Sequence, residues 1–244
     1  MPFEVHKEKE PRLTYILMGV IVAVYFYEGL VYFLQGAGAE KALIDGFGFS
    51  FHGLLQGKWW TLLTSIFLHG GVEHIVVNLL ALYFFGRAVE EAVNWKKYLV
   101  IFFASALVGN LVISFTALLG FGSATIPTIG ASAAIFGLMG GAMIMRPFNL
   151  VFYPYIIPVP LILAAVFYTV FNFIAFFATL GGIESNIAYG AHIGGIIAGA
   201  AFGFREAGMR RGLQAAAIII ALLIVLPFVL QYLNIIDYSR FLTG

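Results

Sequence analysis

The 244-residue chain contains no cysteine and few charged residues. Without cysteine, disulfide frameworks, thiolate catalysis and cysteine-ligated metal sites are excluded. Charged residues make up only 10% of the chain, and the formal net charge is +1. The lysines and arginines are scattered rather than gathered in a basic stripe, so we expect no nucleic-acid partner.

Apolar residues dominate instead. They make up 61% of the chain, well above the roughly 45–50% of soluble domains. Seven long apolar stretches are predicted as membrane spans: 14–34, 66–86, 97–119, 131–145, 155–178, 189–204 and 213–233. A lipid-exposed segment must satisfy its own backbone hydrogen bonds, so each stretch should be helical. The sequence therefore predicts an all-α, polytopic membrane helix bundle with the lipid bilayer as its surroundings.

The orientation of the bundle is predicted from the positions of lysine and arginine. If the seven spans alternate in direction, most of these residues fall on the side of the N-terminus. The positive-inside rule then places the N-terminus in the cytoplasm and the C-terminus outside, and we expect the plasma membrane as the location. It follows that every even-numbered span begins at the outer face.

Four polar residues lie at the outer ends of these even-numbered spans. His74 and Asn78 are four residues apart and share one helix face, Ser132 opens the fourth span, and His192 opens the sixth. A serine becomes a useful nucleophile when an imidazole takes its proton. The Asn78 amide and the His74 ring are suitable donors to a developing oxyanion. The pattern favours peptide-bond hydrolysis, for which no metal or other cofactor is expected.

Three segments around these residues resemble the rhomboid family of intramembrane serine proteases. They are Gly130-Ala-Ser132, Ala191-His192-Ile-Gly-Gly195 and His74-Ile-Val-Val-Asn78. The resemblance implies a cytoplasmic N-terminal segment over 1–13 and a six-helix protease core over 14–205. Residues 206–244 would then add a seventh transmembrane helix and a short outer tail.

The same resemblance implies a role for each site residue. Ser132 would be the nucleophile and His192 its base, in a dyad without an acid. His74, Asn78 and the backbone N–H of Ser132 would form the oxyanion hole, and Phe136 would pack against the base. The substrates would be single-pass membrane proteins, cut near the outer face. Span five and the loop at 179–188 would be the entry gate and its cap.

Several residues depart from the family pattern or have a plainer interpretation. Ala133 stands where the family usually has glycine, and Trp59-Trp60 stands where it commonly has a Trp-Arg pair. Glu28, near the outer end of span one, is expected to face the aqueous mouth. The segment from His69 to His74 lacks the spacing of a zinc-protease motif, so no metal site is expected there. The glycines at 195, 199 and 203 are expected to pack inside one chain.

Competing functions are a catalytically inactive rhomboid-like protein that binds membrane helices, a small transporter, and a structural scaffold. Retention of both Ser132 and His192 argues against the inactive protein. A transporter would be expected to show paired halves with interrupted helices, and the sequence shows no such halves. A scaffold would have no reason to gather these polar residues at one depth. The sequence leaves open the natural substrate, the preferred cleavage site and the oligomeric state.

Overall fold

The computed structural model describes residues 10–151, 158–183 and 185–232. It confirms the predicted all-α helix bundle, with a helix at each of the seven apolar stretches. The helices are α1 (Arg12–Gln35), α2 (Ala37–Phe47), α3 (Phe51–Leu55), α4 (Thr61–Thr64), α5 (Val72–Ala81), α6 (Arg87–Ala92), α7 (Trp95–Leu118), α8 (Ser132–Met145), α9 (Leu161–Leu180), α10 (Tyr189–Ala207) and α11 (Met209–Tyr232). A π-helical turn, Leu82–Gly86, joins α5 to α6. Two short antiparallel strands, β1 (Leu150–Val151) and β2 (Val159–Pro160), precede α9.

Four helical segments of the described chain are long and apolar enough to cross a membrane. They are Arg12–Gln35, Val72–Ala92, Trp95–Leu118 and Leu161–Leu180. The helix α8 is equally apolar but has only 14 residues. Nearly all of its side chains are buried, which is the pattern of a helix enclosed by other helices. The short helix α8 is therefore the centre of the bundle.

Both predicted boundaries of the second span are wrong. The second span begins at Val72 rather than 66, because the Gly70-Gly71 pair interrupts the helix and Gly71 has a φ of 155°. It continues past 86 to Ala92, where Arg87 and Glu91 pair at 2.7 Å one helical turn apart. This i,i+4 pairing lets charged residues extend the helix beyond the apolar stretch.

The fifth span begins at Leu161 rather than 155, because Pro158 and Pro160 lie just ahead of it and proline disfavours helix at the residue before it. The predicted start of this span falls in 152–157, outside the described residues. Most of the predicted cytoplasmic segment (residues 1–9), the outer tail (233–244) and residue 184 of the predicted cap also lie outside them.

The start of α1 is anchored by a buried carboxylate from the next spanning segment. Glu90 of α6 accepts hydrogen bonds from the backbone N–H groups of Leu13 and Thr14, at 2.8 and 2.9 Å, and from the Thr14 hydroxyl at 2.8 Å. The first N–H groups of a helix have no partner within that helix. Glu90 therefore caps α1 and ties it to α6 at the end of the bundle opposite His74.

Backbone contact between α8 and α10 depends on glycine. A methyl group on Gly199 would overlap the carbonyl oxygen of Gly137, and one on Gly195 would overlap the carbonyl oxygen of Ala133. A methyl on Gly137 would in turn collide with the Ser105 side chain of α7. Small residues are what allow membrane helices to approach this closely. The glycines thus fix the distance between the two helices that carry Ser132 and His192.

We expect Gly199→Ala to lower the thermal unfolding midpoint of the purified protein. The added methyl must push α8 and α10 apart, and overpacking of this kind costs about 1–3 kcal/mol. Gly29→Ala is the matched control, since nothing lies within 4 Å of its added methyl and alanine favours helix by about 1 kcal/mol. Equal midpoints for the two variants would contradict this account of the packing.

Candidate active site

Ser132 and His192 are hydrogen-bonded to each other. The Oγ of Ser132 and the Nε2 of His192 are 2.8 Å apart. Ser132 is the first residue of α8, and His192 lies in the first turn of α10, where it is 8% exposed. Because α8 begins at Ser132, the N–H groups of its first turn have no acceptor inside the helix. The arrangement brings together a serine hydroxyl, an imidazole and the start of a helix.

Three further side chains contact the imidazole of His192. Its Nδ1 lies 2.7 Å from the Oδ1 of Asn172, a side chain of α9 that is 2% exposed. The Phe136 ring stacks on it, with centroids 4.3 Å apart and 22° between the planes. The Tyr189 ring meets it edge-on at 6.1 Å. The ring of His192 therefore has little freedom to rotate.

Asn172 is the site residue that sequence reasoning missed. Asn172 is neither ionisable nor part of one of the three family-like segments, so neither signal points to it. Its signal in the sequence is a lone amide within the apolar helix Leu161–Leu180. A polar side chain at such a position needs a hydrogen-bond partner, since an unpaired polar group buried in an apolar environment is costly. The structure supplies His192 as that partner.

His74 and Asn78 lie on one face of α5, as the spacing predicts. Asn78 is buried, and its Nδ2 donates to the carbonyl oxygen of His74 at 2.8 Å, which leaves its second amide hydrogen unused by this bond. The His74 ring lies against Gly130, where an added methyl would come within 2.7 Å of Nε2. The structure thus brings the His74 ring to the backbone two residues ahead of Ser132.

Residues 36–71, which connect α1 to α5, hold the segment that leads into Ser132. Phe49 and Thr128 exchange two backbone hydrogen bonds, of 3.0 and 2.6 Å. The N–H of Gly130 donates to the backbone carbonyl oxygen of Ser65 at 2.9 Å. Gly130 has a φ of 116°, which a residue with a side chain adopts only under strain. These contacts position the start of α8, and with it Ser132, against the connection from α1.

The methyl of Ala133 faces α7 at a position that has no side chain. A methyl built on Gly109 would lie 2.9 Å from the Cβ of Ala133 and 2.7 Å from the carbonyl oxygen of Ala191. Ala133 is buried, at 8% exposure. Glycine at position 109 therefore provides the room for the side chain by which Ala133 departs from the family pattern.

The expectation that Glu28 faces the aqueous mouth is wrong. Glu28 is 3% exposed, and its two carboxylate oxygens accept from the backbone N–H of His69 at 3.3 and 3.2 Å. A buried acceptor is stable only when it is paired, and this bond pairs it. Glu28 thereby ties α1 to the connection that leads into α5.

His69 lies ahead of α5, outside the spanning helices, and is 3% exposed. Its burial lowers the pKa of its imidazole to about 4. His69 is therefore uncharged near neutral pH, with its ring 5.0 Å from that of His74. Within the described residues, no group of three or more histidine, aspartate or glutamate side chains is arranged to hold a metal ion.

Comparison with known proteins gives a family match over most of the chain. Residues 56–208 match the family model described as the Rhomboid domain. Rhomboid protease GluP of Bacillus subtilis is 31% identical over 140 residues, which cover 57% of this chain and 25% of GluP. Rhomboid protease AarA of Providencia stuartii is 28% identical over 187 residues, which cover 72% of this chain and 65% of AarA.

An inactive relative also matches. Inactive RHOMBOID-like protein 8 of Arabidopsis thaliana is 37% identical over 84 residues, which cover 34% of this chain and 22% of that protein. The matched part of this chain thus spans about a quarter of GluP and under a quarter of the inactive protein.

The hydrogen bond from the His69 N–H to the Glu28 carboxylate should contribute to the thermal stability of the protein. We expect Glu28→Ala to lower the thermal unfolding midpoint, because it leaves the buried N–H of His69 without an acceptor, at a cost of about 1–3 kcal/mol. Glu28→Gln keeps an acceptor oxygen and should lose less. Glu73→Ala, on the exposed face of α5, is the control and should change the midpoint least. A loss from Glu73→Ala as large as that from Glu28→Ala would contradict the assignment.

Proposed function

This chain belongs to the rhomboid family, and from that premise we propose that it is an intramembrane serine endopeptidase with Ser132 as nucleophile and His192 as general base. The observation that carries the proposal is the hydrogen bond of 2.8 Å between Ser132 Oγ and His192 Nε2. The two residues are 60 positions apart in the chain and come from different helices. A hydrogen bond between a serine hydroxyl and an imidazole inside an apolar bundle favours a catalytic role over a purely structural one.

The proposed reaction proceeds through an acyl-enzyme. The Oγ of Ser132 attacks the carbonyl carbon of the scissile peptide bond while its proton passes to Nε2 of His192. The tetrahedral intermediate then collapses, and His192 returns the proton to the leaving amine as the peptide bond breaks. Water attacks the resulting ester in a second round of the same proton transfers, which releases the new carboxylate and restores Ser132.

The negative charge on the attacked oxygen needs fixed donors. We assign this role to the backbone N–H of Ser132, the His74 ring and the free amide hydrogen of Asn78. The N-terminal end of α8 adds its positive dipole beside the same atom. Loss of one such donor in other serine proteases costs about 100- to 1,000-fold in kcat.

Phe136 is proposed to support the base by packing. Its ring stacks on the imidazole of His192 at 4.3 Å, one helical turn after Ser132 on α8. A phenylalanine ring offers no hydrogen bond, so it can hold the plane of the imidazole without competing for either of its nitrogens.

The proposed substrates are single-pass membrane proteins whose helices enter beside α9 and are cut near the outer face. The lysine and arginine distribution supports an N-terminus in the cytoplasm and a C-terminus outside, with the plasma membrane as the proposed location. In that orientation Ser132, His74 and His192, each near the start of its helix, lie toward the outer face.

The alternative is a catalytically inactive rhomboid-like protein that binds membrane helices without cutting them. It deserves a test because an inactive relative is among the similar proteins. The paired Ser132 and His192 favour the enzyme, since a binding protein has no need of a serine hydroxyl held on an imidazole.

Cleavage of a model single-pass substrate in proteoliposomes distinguishes the two functions. We expect the wild-type chain to cut it, and Ser132→Ala and His192→Ala each to lower kcat by at least about 1,000-fold, because each removes half of the nucleophile-base pair. Mass spectrometry of the products should place the cut near the outer end of the substrate helix.

Two matched variants control for loss of folding. Ser114→Ala removes a hydroxyl of α7 that donates to the carbonyl of Asn110, and His52→Ala removes an exposed imidazole of α3. Both should cleave at close to the wild-type rate. A folded wild-type chain that cuts none of several substrates, or Ser132→Ala protein that still cuts, would contradict the proposed function.

A further inference from the structure

The bond from His192 to Asn172 has a direction that the surrounding contacts determine. The Nδ2 of Asn172 donates to the carbonyl oxygen of Tyr168, one turn earlier on α9, at 2.7 Å. That bond fixes the orientation of the amide, with Nδ2 toward Tyr168 and Oδ1 toward His192. An amide oxygen can only accept, so Nδ1 of His192 must carry a hydrogen and donate it.

A hydrogen on Nδ1 determines whether Nε2 of His192 can accept the proton of Ser132. A neutral imidazole carries one N–H, so a hydrogen on Nδ1 leaves Nε2 with a free lone pair. This lone pair faces the Ser132 hydroxyl at 2.8 Å, and Ser132 is then the donor. In the other tautomer Nε2 would carry the hydrogen and could not take the serine proton. Only one of the two tautomers is therefore a base toward Ser132.

We propose that Asn172 is a positioning residue that selects the reactive tautomer of His192 through the Oδ1 to Nδ1 hydrogen bond. This inference rests on the proposed function and adds to it a third residue, supplied by a third helix. The same oxygen remains an acceptor after His192 has taken the proton of Ser132, because both nitrogens of the imidazolium are donors. Asn172 thus holds the ring through the whole proton transfer without itself changing charge.

The position of Asn172 makes the orientation of the base depend on α9. Its neighbours on this helix pack against the first turn of α10: the Phe171 ring meets Tyr189 edge-on at 6.2 Å, and Phe176 would lie 3.2 Å from a methyl on Gly190. Asn172 is the buried residue of α9 nearest to its C-terminal end. The acceptor for His192 is therefore present only while this part of α9 is packed on α10.

Two substitutions at one position separate a positioning role from a structural one. Asn172→Leu has a similar size and removes the acceptor, so we expect kcat to fall by about 10- to 100-fold, with KM within about twofold of wild type. Asn172→Asp keeps an acceptor oxygen facing Nδ1 and should recover most of kcat, although it loses the donor to Tyr168.

Thr169→Val is the matched control on the same helix. Its hydroxyl donates to the carbonyl of Ala165 within α9 and has no part in holding His192. We expect its kcat to stay within about twofold of wild type. If Thr169→Val loses as much activity as Asn172→Leu, the effect comes from damage to α9 and the proposal is overturned.

The tautomer itself is measured by nitrogen-15 NMR of histidine-labelled protein at mildly alkaline pH. The chain has only five histidines, and the signals of His192 are assigned by their loss in His192→Ala. Wild type should show a proton on Nδ1 and none on Nε2, and Asn172→Leu should show a substantial population with the proton on Nε2. This readout does not require cleavage, so it tests the inference even if the proposed function fails.

The result that overturns the proposal is an unchanged tautomer in Asn172→Leu, or a kcat within about twofold of wild type in folded Asn172→Leu protein. Equal losses in Asn172→Leu and Asn172→Asp with the wild-type tautomer in both would also overturn it, because that pattern indicates a packing role alone.

Discussion

The close approach of α8 and α10 is the constraint on which the rest of the structure depends. The side chains of serine and histidine are short, so their polar atoms can meet at 2.8 Å only if the backbones that carry them are near contact. The absence of side chains at Gly137, Gly195 and Gly199 provides that approach. Without a strong hydrophobic driving force between helices in lipid, such packing is a main source of association. The same glycines therefore serve stability and the geometry of the site.

A second constraint is that polar groups inside the bundle must find partners. Glu90 accepts from the start of α1, Glu28 from the connection ahead of α5, and Asn172 from His192. Each bond joins two segments distant in sequence, so satisfying a polar group also fixes how two helices are arranged. The first two bonds stabilise the scaffold around the site. The third places an acceptor from α9 directly on the proposed base, which links the packing of that helix to the chemistry.

Much of the fold and part of the candidate site could be predicted from the sequence. The helices at the seven predicted stretches follow from the apolar composition of those stretches. His74, Asn78, Ser132 and His192 were expected from their positions as polar residues at helix ends. The boundaries at Val72 and Leu161 depended on local backbone features, a glycine pair and two prolines, which hydropathy does not register.

The environments of Glu28 and Asn172 could not be read from one sequence, because both depend on a partner from a different part of the chain. Hydropathy placed Glu28 near a helix end but did not show that its carboxylate turns inward to the N–H of His69. Asn172 is visible in the sequence as a lone amide in an apolar helix, but its partner lies 20 positions away on α10. A residue of this kind is found by asking which uncharged polar groups in a span still need a partner.

The central claim is that His192 activates Ser132 as a nucleophile, and a fluorophosphonate probe tests it most directly because it reacts with activated serine hydroxyls and needs no natural substrate. The measurement is the rate of probe attachment to lipid-reconstituted protein, with the modified residue located by peptide mass mapping. The account predicts a single modification at Ser132 in wild type and a rate at least about 100-fold lower in folded His192→Ala. Labelling of Ser132 at the same rate in both proteins, or no labelling of folded wild type, would contradict it.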